Sequence, residues 1–406
     1  MKSNYKRLGD YIREVNNRNT ELRVTNLLGI NIDKFFMPSV ANVVGTDMTS
    51  YKIVKMGQFA CNRMHVGRDQ RLPVSLSRDS NDFLVSPAYN VFEVIDPNAL
   101  LPEYLMMWFS RREFDRNAWF YTDADVRGGL NWKDFCNMEI PVPDIAKQRE
   151  IVKEYNVLVN RIALNNQLNQ KLEETAQAIY KQWFVDFEFP DEDGKPYKSN
   201  GGKMVESELG EIPKGWEILT LSDVTEMIID NRGKNPEYSK SGYPAISAKN
   251  VKNGKIIRPE TIRYVSKKVF FEWMKDPLKI GDIALTSEAP MGELFYFAKR
   301  TDYLIAQRLY GIRADLKKCR GSYLYFWLQT ITAKKDMEGR STGTTVAGIK
   351  QSELFKVLVL TPIISIVNLF DCRIKAIMEA IEILRDEDLL LNSLKQLLLS
   401  RLTILN

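Results

Sequence analysis

A group of charged residues at the start of a predicted long helix has the composition of a metal-dependent nuclease site. Asp144 follows Pro143, and Glu150 and Lys153 come later on the same segment. In a nuclease of this kind the carboxylates lie at strand ends around a metal ion. Here Glu150 and Lys153 fall in the first turns of a heptad helix, where acidic residues suit the positive end of the helix dipole. The pattern therefore favours a helix start, and a stand-alone metal-dependent endonuclease is the alternative.

Other catalytic signatures are missing from the sequence. His65 is the single histidine, and neither Gly-x-Ser-x-Gly nor the Gly-x4-Gly-Lys-Ser/Thr motif of ATP-binding loops occurs. Asn235-Pro-Glu-Tyr238 differs from the Asn-Pro-Pro-Tyr loop of amino-methyltransferases and is expected to form a turn. The cysteines are too far apart for a zinc site or a disulfide framework: Cys61, Cys136, Cys319 and Cys372. We therefore expect a chain with no catalytic residue, metal or cofactor of its own.

Composition indicates a globular protein of two or three domains. The chain has 406 residues, of which 44% are hydrophobic and 27% are charged. The N-terminal residues lead into no apolar segment, and no window reaches the roughly 18 apolar residues of a membrane helix, so a cytoplasmic location without membrane contact is expected. Between residues 211 and 356, 25 Lys and Arg stand against 17 Asp and Glu. This surplus fits a polyanion partner, and a solvated surface is the alternative.

The sequence contains a long internal repeat. Tyr104-Leu-Met-Met-Trp-Phe109 matches Tyr323-Leu-Tyr-Phe-Trp-Leu328 at an offset of 219 residues, and residues 138–145 match 357–364 at the same offset. Each half is predicted to contain a strand-rich region, a short helix, an apolar strand and a long helix, in that order. Trp108 and Trp327 occupy equivalent positions and are predicted to lie in the core.

The two long helices carry apolar residues with a period of seven, which predicts a coiled-coil seam. The first seam contains Ile151, Leu158, Leu172 and Ile179 beside Tyr155, Ile162, Ala176 and Trp183, and the second contains Phe370, Ile377, Leu384, Leu391 and Leu398 beside Ile374, Ile381 and Leu402. Polar residues interrupt both seams at Asn165, Asn169, Asp388 and Lys395. Some 36 helical residues would span roughly 54 Å. Antiparallel packing would relate the two halves by a pseudo-twofold axis.

Three stretches resemble the specificity subunit of type I restriction-modification systems. They are Trp216-Glu-Ile-Leu-Thr-Leu-Ser-Asp-Val224, Ile280-Gly-Asp-Ile-Ala-Leu-Thr-Ser287 with Met291-Gly292, and Pro141-Val-Pro-Asp-Ile-Ala-Lys-Gln-Arg-Glu-Ile-Val152. The resemblance covers nearly the whole chain. It implies an α+β fold in which two pseudo-symmetric α/β target-recognition domains are separated by two long helices that form an antiparallel coiled coil.

This fold divides the sequence into five parts. Residues 1–146 form the first target-recognition domain and residues 147–187 the first long helix, which acts as a spacer. Residues 188–214, rich in Pro, Gly and charge, form a linker. Residues 215–363 form the second target-recognition domain and residues 364–406 the second long helix.

The resemblance also implies a function and partners. Each target-recognition domain would read one half of a split, asymmetric site in double-stranded DNA, and the helices would set the gap between the halves. The chain would be a non-catalytic platform for two modification subunits and two restriction subunits. S-adenosylmethionine, ATP and magnesium are expected in those partners and not in this chain. Ile363-Ile-Ser-Ile-Val-Asn368 lacks the counterpart of Gln148-Arg149-Glu150, so the two helices are not expected to dock partners equally.

Candidate DNA contacts are polar loop residues whose donors suit phosphates or base edges. For each one, a solvated loop residue is the alternative. In the first lobe they are Arg63, His65, Arg68, Arg71, Tyr121, Arg127, Trp132 and Lys133. In the second lobe they are Asn231, Arg232, Lys234, Lys249, Asn250, Lys252, Gln307, Arg308, Arg340, Ser341, Thr342, Thr344 and Thr345. A coiled-coil scaffold whose lobes bind protein is a further alternative, because the total charge of +5 is modest.

Overall fold

The computed structural model describes residues 5–39, 45–64, 66–122, 128–231, 233, 235–343 and 347–403. The chain divides into two units, the first made of Met1–Leu164 with Glu387–Asn406 and the second of Asn165–Asp386. Within the described ranges, no helix combines the length and the apolar character that crossing a membrane requires.

The first unit consists of short strands and helices followed by a long helix. Its strands are β1 Tyr5–Arg7, β2 Ile12–Val15, β3 Leu28–Ile30, β4 Phe36–Pro38, β5 Lys52–Val54, β6 Phe59–Cys61, β7 Val74–Leu76, β8 Phe83–Val85, β9 Asn90–Val94 and β10 Glu139–Pro141. Its helices are α1 Val66–Asp69, α2 Pro102–Phe109, α3 Arg112–Phe120, α4 Trp132–Asn137 and the start of α5 Ile145–Phe184. We call the part before α5 the first lobe.

An antiparallel sheet in the order β2-β9-β6-β7 is the centre of the first lobe. All three residues of β6 are buried, because the short helices cover the sheet. Phe59 of β6 stacks on Phe92 of β9 with 5.0 Å between ring centroids. Phe109 of α2 and Phe135 of α4 close this aromatic core with ring centroids 5.8 Å apart. The first lobe therefore has a hydrophobic core of its own.

The second unit repeats the same plan with more strands. Its strands are β11 Met204–Val205, β12 Ile212–Pro213, β13 Glu217–Thr220, β14 Thr225–Asp230, β15 Tyr238–Ser239, β16 Tyr243–Ile246, β17 Val251–Lys252, β18 Lys255–Ile256, β19 Arg263–Val265, β20 Ile283–Thr286, β21 Leu294–Tyr296, β22 Leu304–Ile305, β23 Leu309–Ala314 and β24 Leu358–Thr361. Its helices are α6 Lys267–Trp273, α7 Gly321–Trp327, α8 Ile331–Gly339, α9 Gln351–Leu354 and most of α10 Ile364–Arg401. We call β13 to β24 the second lobe.

The predicted repeat is confirmed by the topology. The central sheet of the second lobe has the order β14-β23-β20-β21, which corresponds strand for strand to β2-β9-β6-β7. In each lobe the first strand pairs antiparallel with the last, β1 with β10 and β13 with β24. The hydroxyl of Tyr104 donates to the carbonyl of Pro141, and that of Tyr323 donates to the carbonyl of Leu360. Trp108 and Trp327 are buried, as the repeat predicted.

The central sheets of both lobes have a polar side-chain contact at the equivalent position, but different residue types form it. Gln58, just before β6, donates to Glu93 of β9 over 2.8 Å. Asp282, just before β20, accepts from Arg313 of β23 over 2.9 Å. Gln58 and Asp282 also both accept a hydrogen bond from the backbone N–H three residues before them. The two lobes therefore share a framework in which residue types have diverged.

Each unit contains two segments of the long helices, which run antiparallel within that unit. In the first, Ile151 of α5 packs with Leu399 of α10, and Arg161 forms an ion pair with Glu387 at 3.0 Å. In the second, Glu173 pairs with Arg385 at 2.8 Å, while further along α5 the aromatic rings Trp183 and Phe370 approach to 6.1 Å. The predicted seam positions are buried or half-buried, including the polar Asn165 and Asn169. Burial lowers the pKa of the seam residue Lys395.

Segment 188–214 is built into the second unit. Phe189 stacks on Tyr197 at 4.6 Å and on Trp216 at 5.1 Å between ring centroids. Asp191 accepts hydrogen bonds from the backbone N–H groups of Asp193 and Lys195, at 3.0 and 2.8 Å. These contacts give the segment a defined path over the hydrophobic core, although its composition is typical of a flexible linker.

Candidate nucleic-acid interface

Two separate segments of candidate residues meet in the first lobe. The N–H of Leu130 donates to the carbonyl of Arg63 over 2.9 Å, and the N–H of Gly67 donates to that of Gly128 over 2.7 Å. A Cβ atom on Gly67 would lie 2.7 Å from the Cα of Gly128, so this approach requires glycine. The structure thus joins the segments around residues 63–71 and 128–133, as a shared binding surface requires.

Arg63 and Trp132 support this surface from within. Arg63 Nε donates to Asn90 Oδ1 over 2.8 Å, a second guanidinium N–H donates to the carbonyl of Leu130, and the guanidinium lies 5.7 Å from the centre of the Trp132 ring. Trp132 also stacks on Phe135 at 5.2 Å. Both side chains are half-buried and fix the loop within the lobe, and their assignment as direct DNA contacts stays a prediction.

The other described candidates of the first lobe are exposed. Arg68 pairs with the adjacent Asp69 at 2.7 Å, and Arg71 pairs with Asp33 at 2.8 Å. Tyr121 and Lys133 are exposed as well. His65 and Arg127 lie outside the described residues.

In the second lobe, candidates from two segments line one cleft. This second-lobe cleft has a volume of about 380 Å³ and is lined by Gly233, Ser287, Glu288, Gln307, Arg308, Thr342, Gly348, Ile349 and Lys350. A neighbouring cleft of about 220 Å³ shares Gln307 and Arg308 and adds Lys249, Tyr238 and Arg263. Gln307 and Arg308 precede β23 directly, so they stand at an end of the central sheet.

Backbone hydrogen bonds hold the cleft in shape. The N–H of Ser287 donates to the carbonyl of Arg308 over 2.9 Å, and Thr342 and Gly348 exchange two bonds of 2.8 and 3.0 Å. The N–H of Ile349 donates to the carbonyl of Ser287 over 2.9 Å. Loop residues 341–343 and 347–349 are thereby fixed against the ends of β20 and β23, which gives the cleft side chains a rigid base.

The assignment of Asn250 as a DNA contact is wrong, because the residue is buried with 1% of its surface exposed. Its side-chain oxygen accepts from the N–H and the hydroxyl of Ser247, both at 3.2 Å. Its amide donates to the hydroxyl of Thr261 over 3.0 Å. Asn231 is half-buried and its amide donates to the carbonyl of Ile305 over 3.0 Å. Both amides therefore hold loops of the second lobe in place.

Some of the remaining candidates form contacts within the lobe, and others are exposed. Arg340 pairs with Asp336 at 2.7 Å, and the Ser341 hydroxyl donates to the carbonyl of Glu338 over 2.7 Å, so both close the end of α8. Thr342, Lys249 and Lys252 are exposed. Arg232, Lys234, Thr344 and Thr345 lie outside the described residues.

Four residues with charged or aromatic side chains in the two clefts were not among the candidates. The guanidinium of Arg263 lies 3.6 Å from the centre of the Tyr238 ring, Lys350 lines the second-lobe cleft, and Glu288 pairs with Arg308 at 2.9 Å. Arg263 and Tyr238 meet because β15 and β19 pair antiparallel. These strands are too short to show an alternating pattern in the sequence, so residue spacing alone does not predict that Arg263 and Tyr238 meet.

The charged cluster at the start of α5 forms a helix cap. Asp144 accepts from the N–H of Lys147 over 2.9 Å, and the Lys147 side chain pairs with Glu150 at 2.8 Å. Gln148 is fully buried. Its side-chain oxygen accepts from the N–H of Leu101 over 2.8 Å, and its side-chain amide donates to the carbonyl of Pro143 over 2.8 Å. Asp144 therefore caps the start of the helix, Glu150 pairs within its first turns, and Gln148 anchors the helix to the first lobe.

Comparison with known proteins identifies the family. The chain matches the type I restriction modification DNA specificity domain over residues 75–174 and 213–389, with one match in each half. The HindI specificity subunit of Haemophilus influenzae is 25% identical over 468 aligned residues, which cover 97% of each chain. The MjaVIII specificity subunit of Methanocaldococcus jannaschii is 26% identical over 260 residues, covering 63% of this chain and 59% of that protein.

A solved structure has the same fold. The type-I restriction-modification S subunit from M. genitalium is 10% identical, with a TM-score of 0.61 over 98% of this chain and 95% of that chain. Because the family match spans most of both halves, the chain belongs to the family of type I restriction modification DNA specificity proteins.

Proposed function

We propose that this chain is the DNA-specificity subunit of a type I restriction-modification complex and reads a split, asymmetric target with one half-site per lobe. The observation that carries the proposal is the duplicated lobe, in which candidate donors stand on the same framework twice. Two unlike lobes on one framework suit two unlike half-sites, because protein symmetry is mirrored in the arrangement of half-sites.

The second-lobe cleft has the chemistry of base recognition. Arg308 and Gln307 carry the forked donors that bind guanine and adenine in the major groove. Lys252, exposed on the β17–β18 hairpin, carries a flexible positive charge suited to a phosphate. In the first lobe, Arg68, Arg71 and Lys133 are the exposed donors for the same two roles.

The long helices are suited to set the gap between half-sites. Helix α5 contains 40 residues, a length of about 60 Å at ~1.5 Å per residue. A spacer of this kind holds two reading surfaces at a fixed distance if its seam fixes the register. Buried Asn165 and Asn169 are suited to that task, because polar seam residues specify register.

An apolar stripe on α10 suits the partner subunits. Leu390, Leu394 and Leu397 are exposed by 68%, 51% and 60% and follow the spacing of one helix face. We propose that modification subunits bind there through helices and that restriction subunits join the assembly, two copies of each. Methylation and cleavage would take place in those subunits, which would hold S-adenosylmethionine, ATP and magnesium.

The testing experiment is to co-express the chain with candidate modification subunits in a methylation-free host and to map modified adenines across the genome. One motif of two unlike halves with a fixed gap is the expected result. A chain with Arg68, Arg71 and Lys133 replaced by alanine is the matched control, since it should lose discrimination in only one half. Cleavage of DNA by the purified chain with magnesium, lost in Glu150→Ala, would instead support the endonuclease alternative.

A further inference from the structure

An ion pair inside the second-lobe cleft places a carboxylate where a DNA-binding surface would be expected to have only donors. Glu288 Oε1 lies 2.9 Å from Arg308 Nε, and the two side chains are 38% and 56% exposed. Both residues line the same cleft as Lys350 and Gln307. An acidic residue repels the phosphate backbone, so its presence beside Arg308 calls for an explanation.

The backbone around the pair is fixed on both sides. Glu288 forms an antiparallel bridge with Gly348, and a Cβ atom on Gly348 would lie 3.2 Å from the Glu288 Cβ. Arg308 has a φ of 62°, in the left-handed region that a non-glycine residue seldom adopts. Strained conformations of this kind persist where the surrounding structure holds them, and they concentrate at functional sites. The pair is therefore positioned by the loop backbone.

We propose that Glu288 is a specificity-determining residue of the second lobe, which prevents Arg308 from binding phosphate and directs it to one base. This inference rests on the proposed function. The Glu288 carboxylate accepts from the N–H of Arg308 Nε and so limits the rotamers of Arg308. The guanidinium is therefore oriented before DNA binds. The negative charge of Glu288 repels a phosphate that approaches Arg308. A base edge carries no net charge, so it is not repelled in this way. The pair thus lowers affinity for wrong sequences, which is how specificity is gained against competing sites.

The chain provides a matched control. Arg300 and Asp302 form an ion pair at 2.5 Å with similar exposures of 47% and 46%. The backbone N–H of Arg300 donates to Glu382 of α10 over 2.7 Å, and neither residue lines the second-lobe cleft. Glu288→Gln and Asp302→Asn each remove one negative charge beside an arginine and keep the side-chain shape. A difference in DNA binding between the two variants therefore shows the effect of having the negative charge inside the second-lobe cleft.

The experiment compares these variants as full chains in complex with modification subunits. Binding is measured from low to high salt on duplex DNA that carries the methylated motif, on its single-base variants and on a duplex of unrelated sequence. For Glu288→Gln we expect binding to the unrelated duplex to tighten and its salt slope to steepen by about 0.9, because one more phosphate is contacted. Discrimination at one base of the second half-site should fall about fivefold or more.

Arg308→Lys tests the proposal by a second route, since it keeps the charge and loses the guanidinium fork. Discrimination should fall at the same base position as in Glu288→Gln. If Glu288→Gln behaves like Asp302→Asn on all duplexes while the wild type binds its motif, this inference is overturned and the proposed function stands. If the wild-type complex shows no preference for any sequence, both are overturned.

Discussion

At the scale of single residues, the first lobe depends on a buried ion pair between its β3–β4 hairpin and its helices. Lys34 Nζ lies 2.7 Å from Asp115 Oδ1 and also donates to the carbonyl of Phe109. Burial lowers the pKa of Lys34, and the charge of Asp115 offsets part of this shift. Asp115 in turn accepts from the N–H of Leu72 over 3.1 Å, beside Arg71. The pair therefore connects the hairpin to the candidate loop.

Lys34→Met should destabilise the hairpin, because it leaves Asp115 charged and buried without its partner. Removing one partner of a buried pair costs about 3–5 kcal/mol, so amide hydrogen exchange of residues 28–38 should become faster. The double variant Lys34→Met with Asp115→Asn keeps the acceptor for Leu72 and removes the stranded charge. It should exchange more slowly than the single variant, and equal exchange in both would contradict this account.

The sequence predicted the kinds of residue at the site better than their contacts. Of the predicted polar loop residues, Gln307, Arg308 and Thr342 line the second-lobe cleft. Arg63, by contrast, is held by Asn90 and Leu130, and Asn250 by Thr261. A buried amide that fixes a loop and an exposed amide that reads a base have the same residue type, so only the fold separates them.

At the scale of elements, the β17–β18 hairpin is a rigid carrier for Lys252. Its turn residues Asn253 and Gly254 have φ angles of 49° and 68°, as an Asn-Gly hairpin turn requires. The N–H of Asn253 donates to Glu293 over 2.6 Å, and Arg385 of α10 donates to the carbonyl of Gly254 over 2.8 Å. A lysine on such a support suits positioning on the DNA backbone.

Lys252→Ala should weaken DNA binding about equally for all sequences and make the salt slope shallower by about 1, because a phosphate contact is lost. Titration of the complex with matched and mismatched duplexes at several salt concentrations measures both effects. Arg308→Ala is the contrasting variant, since it should relax one base position. A change of base preference in Lys252→Ala would show that the hairpin reads sequence.

The exposed leucines of α10 carry the next prediction. Leu390→Glu together with Leu394→Glu should abolish co-purification with the modification subunits, because burying two carboxylates in an apolar contact costs several kcal/mol. Gln396→Glu adds a charge at an exposed position on the same helix and is expected to leave co-purification unchanged. Full assembly of the double variant would exclude this stripe as the docking face.

At the scale of the whole molecule, the duplication was visible in the sequence because its anchors recur at a constant offset of 219 residues. The heptad seams were equally visible, since a long helix repeats its pattern many times. The paired strands between the anchors were not, because most contain only two to four residues. Strands this short carry too few alternating positions for a reliable pattern. The framework was therefore predictable from the sequence, while the cleft between its loops was not.

The closing strand pairs of the lobes allow one lobe to replace the other. Tyr5 lies opposite Pro141 in the β1–β10 pair, and Ile218 lies opposite Leu360 in the β13–β24 pair. Both lobes thus begin and end on neighbouring strands, and an inserted domain is tolerated where its ends are close together. A chain in which residues 5–141 replace residues 218–360 should keep both long helices and carry two copies of the first lobe.

Such a chain should direct methylation to an inverted repeat with the original gap, because two identical lobes on antiparallel helices would read identical half-sites in opposite orientations. Mapping of modified adenines in the co-expression host gives the motif directly. The reciprocal chain, with two copies of the second lobe, serves as the control and should give the other half-site inverted. The two inverted motifs together should contain both halves of the wild-type target, and an unchanged asymmetric motif in either chain would contradict one half-site per lobe.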